Sequence, residues 1–372
     1  MDFTYSAEQQ MLLDSLRRFV GEQYSFEQRQ RIMHSQDLSR EMWRMLADLG
    51  VLALNIPERE GGLGAGPVEN LIVATVLGEG LVLEPFASSA VIATRAIVQT
   101  ASESQRTRWL PQLADGSLIA VLAHEQPTSF DAVEEPITRA MRGPDGWMLN
   151  GYRSVVYHAP VADLLLIPAA IAGAKSREIG LFAVNPAQAG VHLRKYRTID
   201  GQSAADIALD NVKVPAGMRL GADVAAHLDA LLDLGAAVAC AESVGALDRL
   251  MRLTVEYCTS RVQFGAPIAR FQVLQHRMAD MLIHVEQARS MACWAAFCCE
   301  LNDRAERAAA ISAARVTVSQ AARFVGQQAI QLHGGMGMAD ELSVSHYFKR
   351  LLASDARFGS TEFHLERYAR SM

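Results

Sequence analysis

Cysteine is scarce in this sequence, and what there is does not pair. Cys240, Cys258, Cys293, Cys298 and Cys299 form no C-x-x-C motif among the 372 residues. That excludes a disulfide scaffold or a zinc module. Cys293, Cys298 and Cys299 share one apolar stretch and read as small core hydrophobes in a reducing compartment. Long apolar runs are lacking too: residues 164–174 are interrupted by Pro168, and a bilayer span needs ~20 apolar residues. The net charge is −6 without any block of like charge, which speaks against nucleic acid and anionic membrane surfaces as partners. The opening MDFTYSAEQQ is acidic and polar, unlike a secretory signal. A cytoplasmic protein is expected, with neither a membrane nor a nucleic acid as partner.

What is present is core-forming material. Half of the residues are apolar and a fifth are charged, enough for two or three domains. Three zones differ in periodicity. Residues 1–117 read as an all-α domain. Ser6 with Gln9 forms a capping box, and Met11, Leu12, Leu16, Phe19 and Val20 follow at helical spacing. A helix over 39–49 stops at Gly50, and Gly61, Gly62, Gly64 and Gly66 form a tight turn before a helix over 67–83.

Residues 118–222 read as a β sandwich or barrel. Short runs at 119–123, 147–149, 154–157, 164–167, 181–184 and 191–193 alternate with turn residues. Residues 223–372 read as a four-helix bundle, with helices near 223–258, 269–302, 304–332 and 341–356. The fold class is therefore α+β and multidomain.

Two motifs carry chemistry. R-V-Q-F-G-A-P-I (261–268) groups a cation, an amide and an aromatic in a rigid turn, which suits a ligand with a phosphate and a ring. Q-L-H-G-G-M-G-M (331–338) ends a helix with three glycines where a C-cap needs one, so a ligand can approach the backbone. His333 sits inside that loop, to touch a ligand or to cap the helix. His276 and His284 lie eight residues apart with no third ligand in view, and no metal site is expected.

Together with I-P-E-R-E-G-G-L-G (56–64), these motifs make the whole chain resemble the acyl-CoA dehydrogenase family. A-C-A-E-S-V-G (239–245), residues 271–281 and H-Y-F-K-R-L (346–351) are most similar to the small subunits of bacterial pimeloyl-CoA dehydrogenases and related heteromeric enzymes. The resemblance implies FAD as cofactor, an acyl-CoA thioester as substrate and α,β-dehydrogenation. It also implies an electron-transfer flavoprotein as acceptor and a homo- or hetero-oligomer formed through the bundle. In family dimers one chain reaches across to hold the adenosine diphosphate of its neighbour's FAD. The residues that match this reach are Arg261, Gln263, Phe264, Phe271, Gln272, Gln331, Gly334, Gly335 and Gly337, with Ser360 also assigned to the cofactor.

The other half of that site departs from the family. The segment Thr-Glu-Pro-Gly-x-Gly-Ser-Asp reads H-E-Q-P-T-S-F-D here (124–131), and Trp-x-Thr-Asn reads V-V-Y-H (155–158). The catalytic Glu of Glu-Gly-Thr-Ser is replaced by Phe358, and the alternative base position falls on Gly235. Glu242 is the candidate base. It lies two turns past Gly235, ~10 Å along the helix, where burial raises a carboxyl pKa; the competing reading is a structural ion pair. Glu362 is out of register, and Asp233 falls at a fraying helix start. Three readings remain open: a heteromer subunit whose partner brings the base, a self-sufficient enzyme using Glu242, and a non-catalytic scaffold. Phe324, Val325, Ala329 and Ile330 form a stripe expected at the oligomer interface.

Overall fold

The computed structural model of the chain describes residues 5–35, 39–124, 138–173 and 178–371. Helix α1 (Ala7–Gln23) begins at the capping box: Gln9 N donates to Ser6 Oγ at 3.2 Å, and Ser6 N to Gln9 Oε1 at 3.0 Å. Its inward stripe is Leu13, Leu16 and Phe19, whereas Met11 is 69% exposed. After α2 (Phe26–His34), Ser39 caps α3 (Arg40–Asp48), and the chain turns at Gly50 with φ 75°. The glycine stretch then folds back on the preceding residues. Leu63 N and Ala65 N donate to Ala53 O and Leu54 O, and a Cβ on Gly62 would stand 2.1 Å from Ile56 O. It is a packed turn. α4 (Pro67–Glu79), a wide π-helical segment over Phe86–Ala93, α5 (Thr94–Thr100) and α6 (Glu103–Ala114) complete the first helices.

One continuous sheet follows, made of β1 (Ala120–Leu122), β2 (Arg139–Gly143), β3 (Gly146–Tyr157), β4 (Leu164–Ile171), β5 (Ile179–Val184), β6 (Val191–Arg197), β7 (Ser203–Pro215) and β8 (Arg219–Leu220). The order is β6-β7-β3-β2-β4-β5-β8, with β1 pairing in parallel with the first residues of β4 and β2 with its last. The runs expected separately at 147–149 and 154–157 are one strand, β3, whose register against β7 shifts twice. Gly151 lies at the first shift, and glycine is required there because a Cβ would be 2.5 Å from Thr138 Cα. Strand β7 escapes a sequence reading because it is alanine-rich; neighbours β3 and β6 define it.

The remaining helices are α7 (Ala225–Ser260), α8 (Gln272–Cys298), α9 (Arg304–His333), α10 (Ser343–Asp355) and α11 (Thr361–Ala369), with a small hairpin β9 (Val262–Gln263) and β10 (Ala266–Pro267) between α7 and α8. α11 was absent from the expected four. Because α7 starts at Ala225, Asp233 is two turns inside it and 1% exposed, not at a frayed end. By length and composition α7 could cross a membrane, yet 83% of its most apolar window is buried, as in a core helix.

The chain divides into two compact units. One comprises residues 32–66 and 83–235 and contains the eight-stranded sheet. The other comprises 1–31, 67–82 and 236–372, where α9 packs along α8, α10 and α11. In this second unit α4 and α7 cross backbone to backbone. A Cβ on Gly78 would lie 2.0 Å from Glu242 O, and one on Gly245 1.8 Å from Thr75 O. Of the proposed interface stripe, Val325 and Ala329 are fully buried in this unit's own core, so they cannot mark an interface. Exposed apolar side chains sit on α8 instead: Val273 at 62%, Leu282 at 49% and Ile283 at 55%.

Candidate functional site

Three segments of the helical unit carry the residues that the sequence singles out. The first is the β9–β10 hairpin. Phe264 and Gly265 are its two turn residues, with φ 53° and 78°; both positive values make it the primed type that closes two-residue hairpins. Phe264 is 92% exposed at the tip, edge-on to Phe271 with ring centroids 6.1 Å apart. Apart from that edge contact the ring is bare, and a large apolar residue that is both strained and exposed is a feature of binding surfaces. Arg261, Gln263 and Gln272 are exposed around the same turn. The hairpin is rooted on α7 by Arg261 N donating to Tyr257 O at 2.8 Å.

The second segment is the glycine loop after α9. Nothing lies within 4 Å of a Cβ placed on Gly334 or Gly335, so the backbone there is open to a ligand. Gly337 differs: it packs, with Ile330 O 2.8 Å and His333 Cβ 3.1 Å from its virtual Cβ. Gln331 is exposed beside the loop. His333 Nδ1 donates to Ala329 O at 2.8 Å, one turn back on its own helix, and burial lowers its pKa. Its ring stacks on Tyr257 with centroids 4.4 Å apart and planes at 23°. The hydroxyl of Tyr257 reaches Met336 Sδ at 4.0 Å. This ring pair, in which Tyr257 belongs to no motif of the sequence, joins the hairpin root to the glycine loop. An exposed cation, an exposed aromatic tip and an open glycine backbone suit the diphosphate and ring of a nucleotide.

The third segment is the turn between α10 and α11. Phe358 has φ 58°, a conformation costly for an aromatic residue, and it is held there from several sides. Arg315, 1% exposed on α9, donates through Nη2 to Ser354 O at 2.8 Å and Arg357 O at 3.0 Å. His364 Nε2 donates to Phe358 O at 3.0 Å, while its Nδ1 accepts from Ser312 Oγ at 3.1 Å. Burial and the nearby Arg315 guanidinium push the His364 pKa down to about 3, so the ring is neutral. Ser360 serves as the N-cap of α11, accepting from Phe363 N at 3.2 Å. Glu362 lies in the first turn of α11 and is exposed.

Glu242 faces this turn. Its Oε1 accepts from Arg350 Nη1 at 2.6 Å and its Oε2 from Arg357 Nη1 at 3.0 Å. Burial alone would raise its pKa, as the sequence suggested. The Arg357 and Arg350 guanidiniums outweigh it and hold the carboxyl below its usual range. The expected raised pKa is thus corrected: Glu242 is an ion-paired carboxylate with both oxygens engaged.

In the sheet unit, the V-V-Y-H segment ends β3. Val155 has φ 50°, and its N–H donates to Asp206 Oδ1 at 3.1 Å. His158 is buried between Ser88 Oγ (2.6 Å to Nδ1) and Leu83 O (3.1 Å to Nε2). The carbonyl fixes the tautomer with hydrogen on Nε2, and the ring serves the fold. Residues 125–131 of the other altered segment lie outside the described residues.

Comparison with known proteins agrees with these motifs. Residues 6–117 match the family model for the acyl-CoA dehydrogenase N-terminal domain, and residues 224–372 that for the C-terminal domain. Acyl-CoA dehydrogenase FadE27 of Mycobacterium tuberculosis (strain ATCC 25618 / H37Rv) is 30% identical over 344 residues, 91% of this chain and 89% of that protein. A chain of the ChsE4–ChsE5 complex from Mycobacterium tuberculosis is 27% identical with a TM-score of 0.87, covering 100% of this chain and 98% of that one. PigA with FAD and proline is 25% identical with a TM-score of 0.88, covering 100% and 98%. On these grounds the chain belongs to the acyl-CoA dehydrogenase family, whose members are FAD-dependent oxidoreductases.

Proposed function

We propose that this chain is one subunit of a heteromeric acyl-CoA dehydrogenase, donating the adenosine-diphosphate half of an FAD site whose flavin contacts and base come from a different chain. The observation that carries this reading is the contrast within the helical unit. The hairpin and glycine loop keep an exposed Arg261 and Phe264 and an open backbone at Gly334 and Gly335. The turn where the family's base belongs presents Phe358, and the candidate base, Glu242, is bound by two guanidiniums.

When bound, FAD would supply a hydride acceptor for the β-carbon of an acyl-CoA. The residues of this chain do something different. Arg261 and Gln263 would hold phosphate and ring groups, and the loop at Gly334–Gly335 would let a diphosphate approach the backbone. Removal of the α-proton requires a base that can open to substrate, and a carboxylate held below its normal pKa by two arginines is a poor one. The alternative, a self-sufficient enzyme using Glu242, would need that ion pair to break in the substrate complex. The exposed Val273, Leu282 and Ile283 on α8 support association through the bundle, and an electron-transfer flavoprotein is the acceptor this reading expects.

The test is the visible spectrum and flavin-to-protein ratio of the chain purified alone and after co-expression with a dehydrogenase-like chain encoded beside it. About one FAD per pair of chains, bleached anaerobically by a panel of acyl-CoAs only in the co-expressed form, supports the proposal. Full flavin in the lone chain, bleached by an acyl-CoA, refutes it.

A further inference from the structure

We infer that Tyr257 and His333 are positioning residues for the nucleotide half-site: a stacked ring pair that sets the Arg261 hairpin at a fixed distance from the glycine loop, and thereby the affinity for an adenosine diphosphate. This rests on the half-site reading above and adds to it two residues outside the matched motif positions that contact the nucleotide.

The two ligand-facing elements are poorly anchored by themselves. The hairpin has strands of two residues, too short for independent stability, and Val262 and Phe264 are 55% and 92% exposed. Its orientation is therefore decided at its root, where Arg261 N bonds Tyr257 O. The loop begins at Gly334 with no side chain to hold it, and its two open glycines pack against nothing. What it has is His333 directly before it, 5% exposed and fixed by its bond to Ala329 O. Packing of Gly337 against His333 Cβ returns the end of the loop to the same residue.

Tyr257 thus stands in the last turn of α7, at the root of the hairpin, and His333 ends α9 directly before the loop, and their rings lie face to face at 4.4 Å. The Tyr257 hydroxyl adds a contact to Met336 inside the loop. A diphosphate that engages a guanidinium on one element and backbone on the other needs their separation held to a fraction of an ångström. The ring pair spans the two elements, side chain to side chain. Removing one ring loosens the geometry without removing any ligand contact, and an aromatic pair of this kind is worth about 3- to 10-fold in an equilibrium constant.

Isothermal titration of ADP into the full-length chain, for the wild type, Tyr257→Ala, Tyr257→Phe, His333→Ala, the Tyr257→Ala/His333→Ala double variant and Arg261→Ala, tests this. ADP affinity should fall about 3- to 10-fold in Tyr257→Ala and His333→Ala. The double variant should be no worse than either single, because the two act as one unit. Tyr257→Phe, which keeps the stack, should stay within about 2-fold of the wild type. A merely structural role would lower the thermal midpoint of Tyr257→Ala without this rescue pattern in affinity. Arg261→Ala separates the two ideas. If it binds ADP as the wild type does, or if the wild type binds no ADP, the half-site reading fails and takes the inference with it. If Arg261→Ala weakens binding and the ring variants do not, the half-site stands and the positioning role is overturned.

Discussion

Substituting Glu242 by glutamine removes one charge from a buried triad with almost no change of volume. In the native fold the carboxylate lies between Arg350 and Arg357, whose side chains are 2% and 4% exposed, while its own is 14% exposed. Glutamine can accept from one guanidinium but turns an N–H₂ toward the other, and the negative charge between two buried cations is gone. Breaking a buried pair in this way costs about 3–5 kcal/mol, a large share of the roughly 5–15 kcal/mol typical of whole domains.

The acid dependence provides an independent check. The Glu242 pKa is held below the ordinary carboxyl value of 4.5 by Arg357 and Arg350 against the opposing effect of burial. The unfolded chain therefore binds the proton first, and stability rises with pH between the two values. The contribution is fully present above about pH 4.5 and is lost as pH falls through the lower folded pKa. Urea unfolding midpoints of the wild type and Glu242→Gln, measured from about pH 7 down to about pH 4, should show a wide gap at neutrality that narrows in acid. Were Glu242 a free base with a raised pKa, the substitution would leave the fold as stable at neutral pH or make it more so. That outcome would sink the ion-pair account and restore Glu242 as a candidate base.

Ser360→Ala should lower stability by about 1 kcal/mol through loss of the α11 cap; unchanged ADP affinity would make capping its whole role, whereas weaker ADP binding would support its assignment to the cofactor. Gly245→Ala would drive a methyl to 1.8 Å from Thr75 O, forcing α4 and α7 apart. A loss of about 1–3 kcal/mol or more is expected, with faster hydrogen exchange over residues 70–79, and an unperturbed α4 would contradict the close crossing. His364, with its pKa pushed from 6.5 to about 3, keeps its neutral form when folded while the unfolded chain takes up the proton. Its contribution is therefore complete above about pH 6.5 and declines as pH falls toward about 3. His364→Gln should unfold at a midpoint less sensitive to pH between about 6.5 and about 4, and equal slopes for both proteins would argue against it.

How much of this was legible from residues depends on the range of the interaction. The α1 capping box and the helix stop at Gly50 are decided within four residues, and they stand where the sequence puts them. The turn at Arg261 and the glycine loop were equally legible as local structure, because those motifs are contiguous. Strand β7 was not legible, since S-A-A-D-I-A-L-D-N-V has little of the β-branched signature and is a strand by virtue of pairing with β3 and β6. The stripe at Phe324–Ile330 misled for the opposite reason: periodicity locates an apolar face but not what covers it, and here much of it is the unit's own core.

At the site, the sequence alone determined which groups are available: Phe358 where the resemblance expects the base, a glutamate in an apolar helix, a cation in the 261–268 turn and glycines in the 331–338 loop. The tertiary structure decided what those groups are. Arg350 and Arg357 stand 108 and 115 residues beyond Glu242 along the chain, and only folding sets them on its two oxygens. That placement reverses the sign of the pKa shift that burial by itself would produce. The stacking of Tyr257 on His333 is of the same kind. No local pattern couples the end of α7 to the end of α9, so the contact between the hairpin root and the glycine loop exists only once both helices are packed.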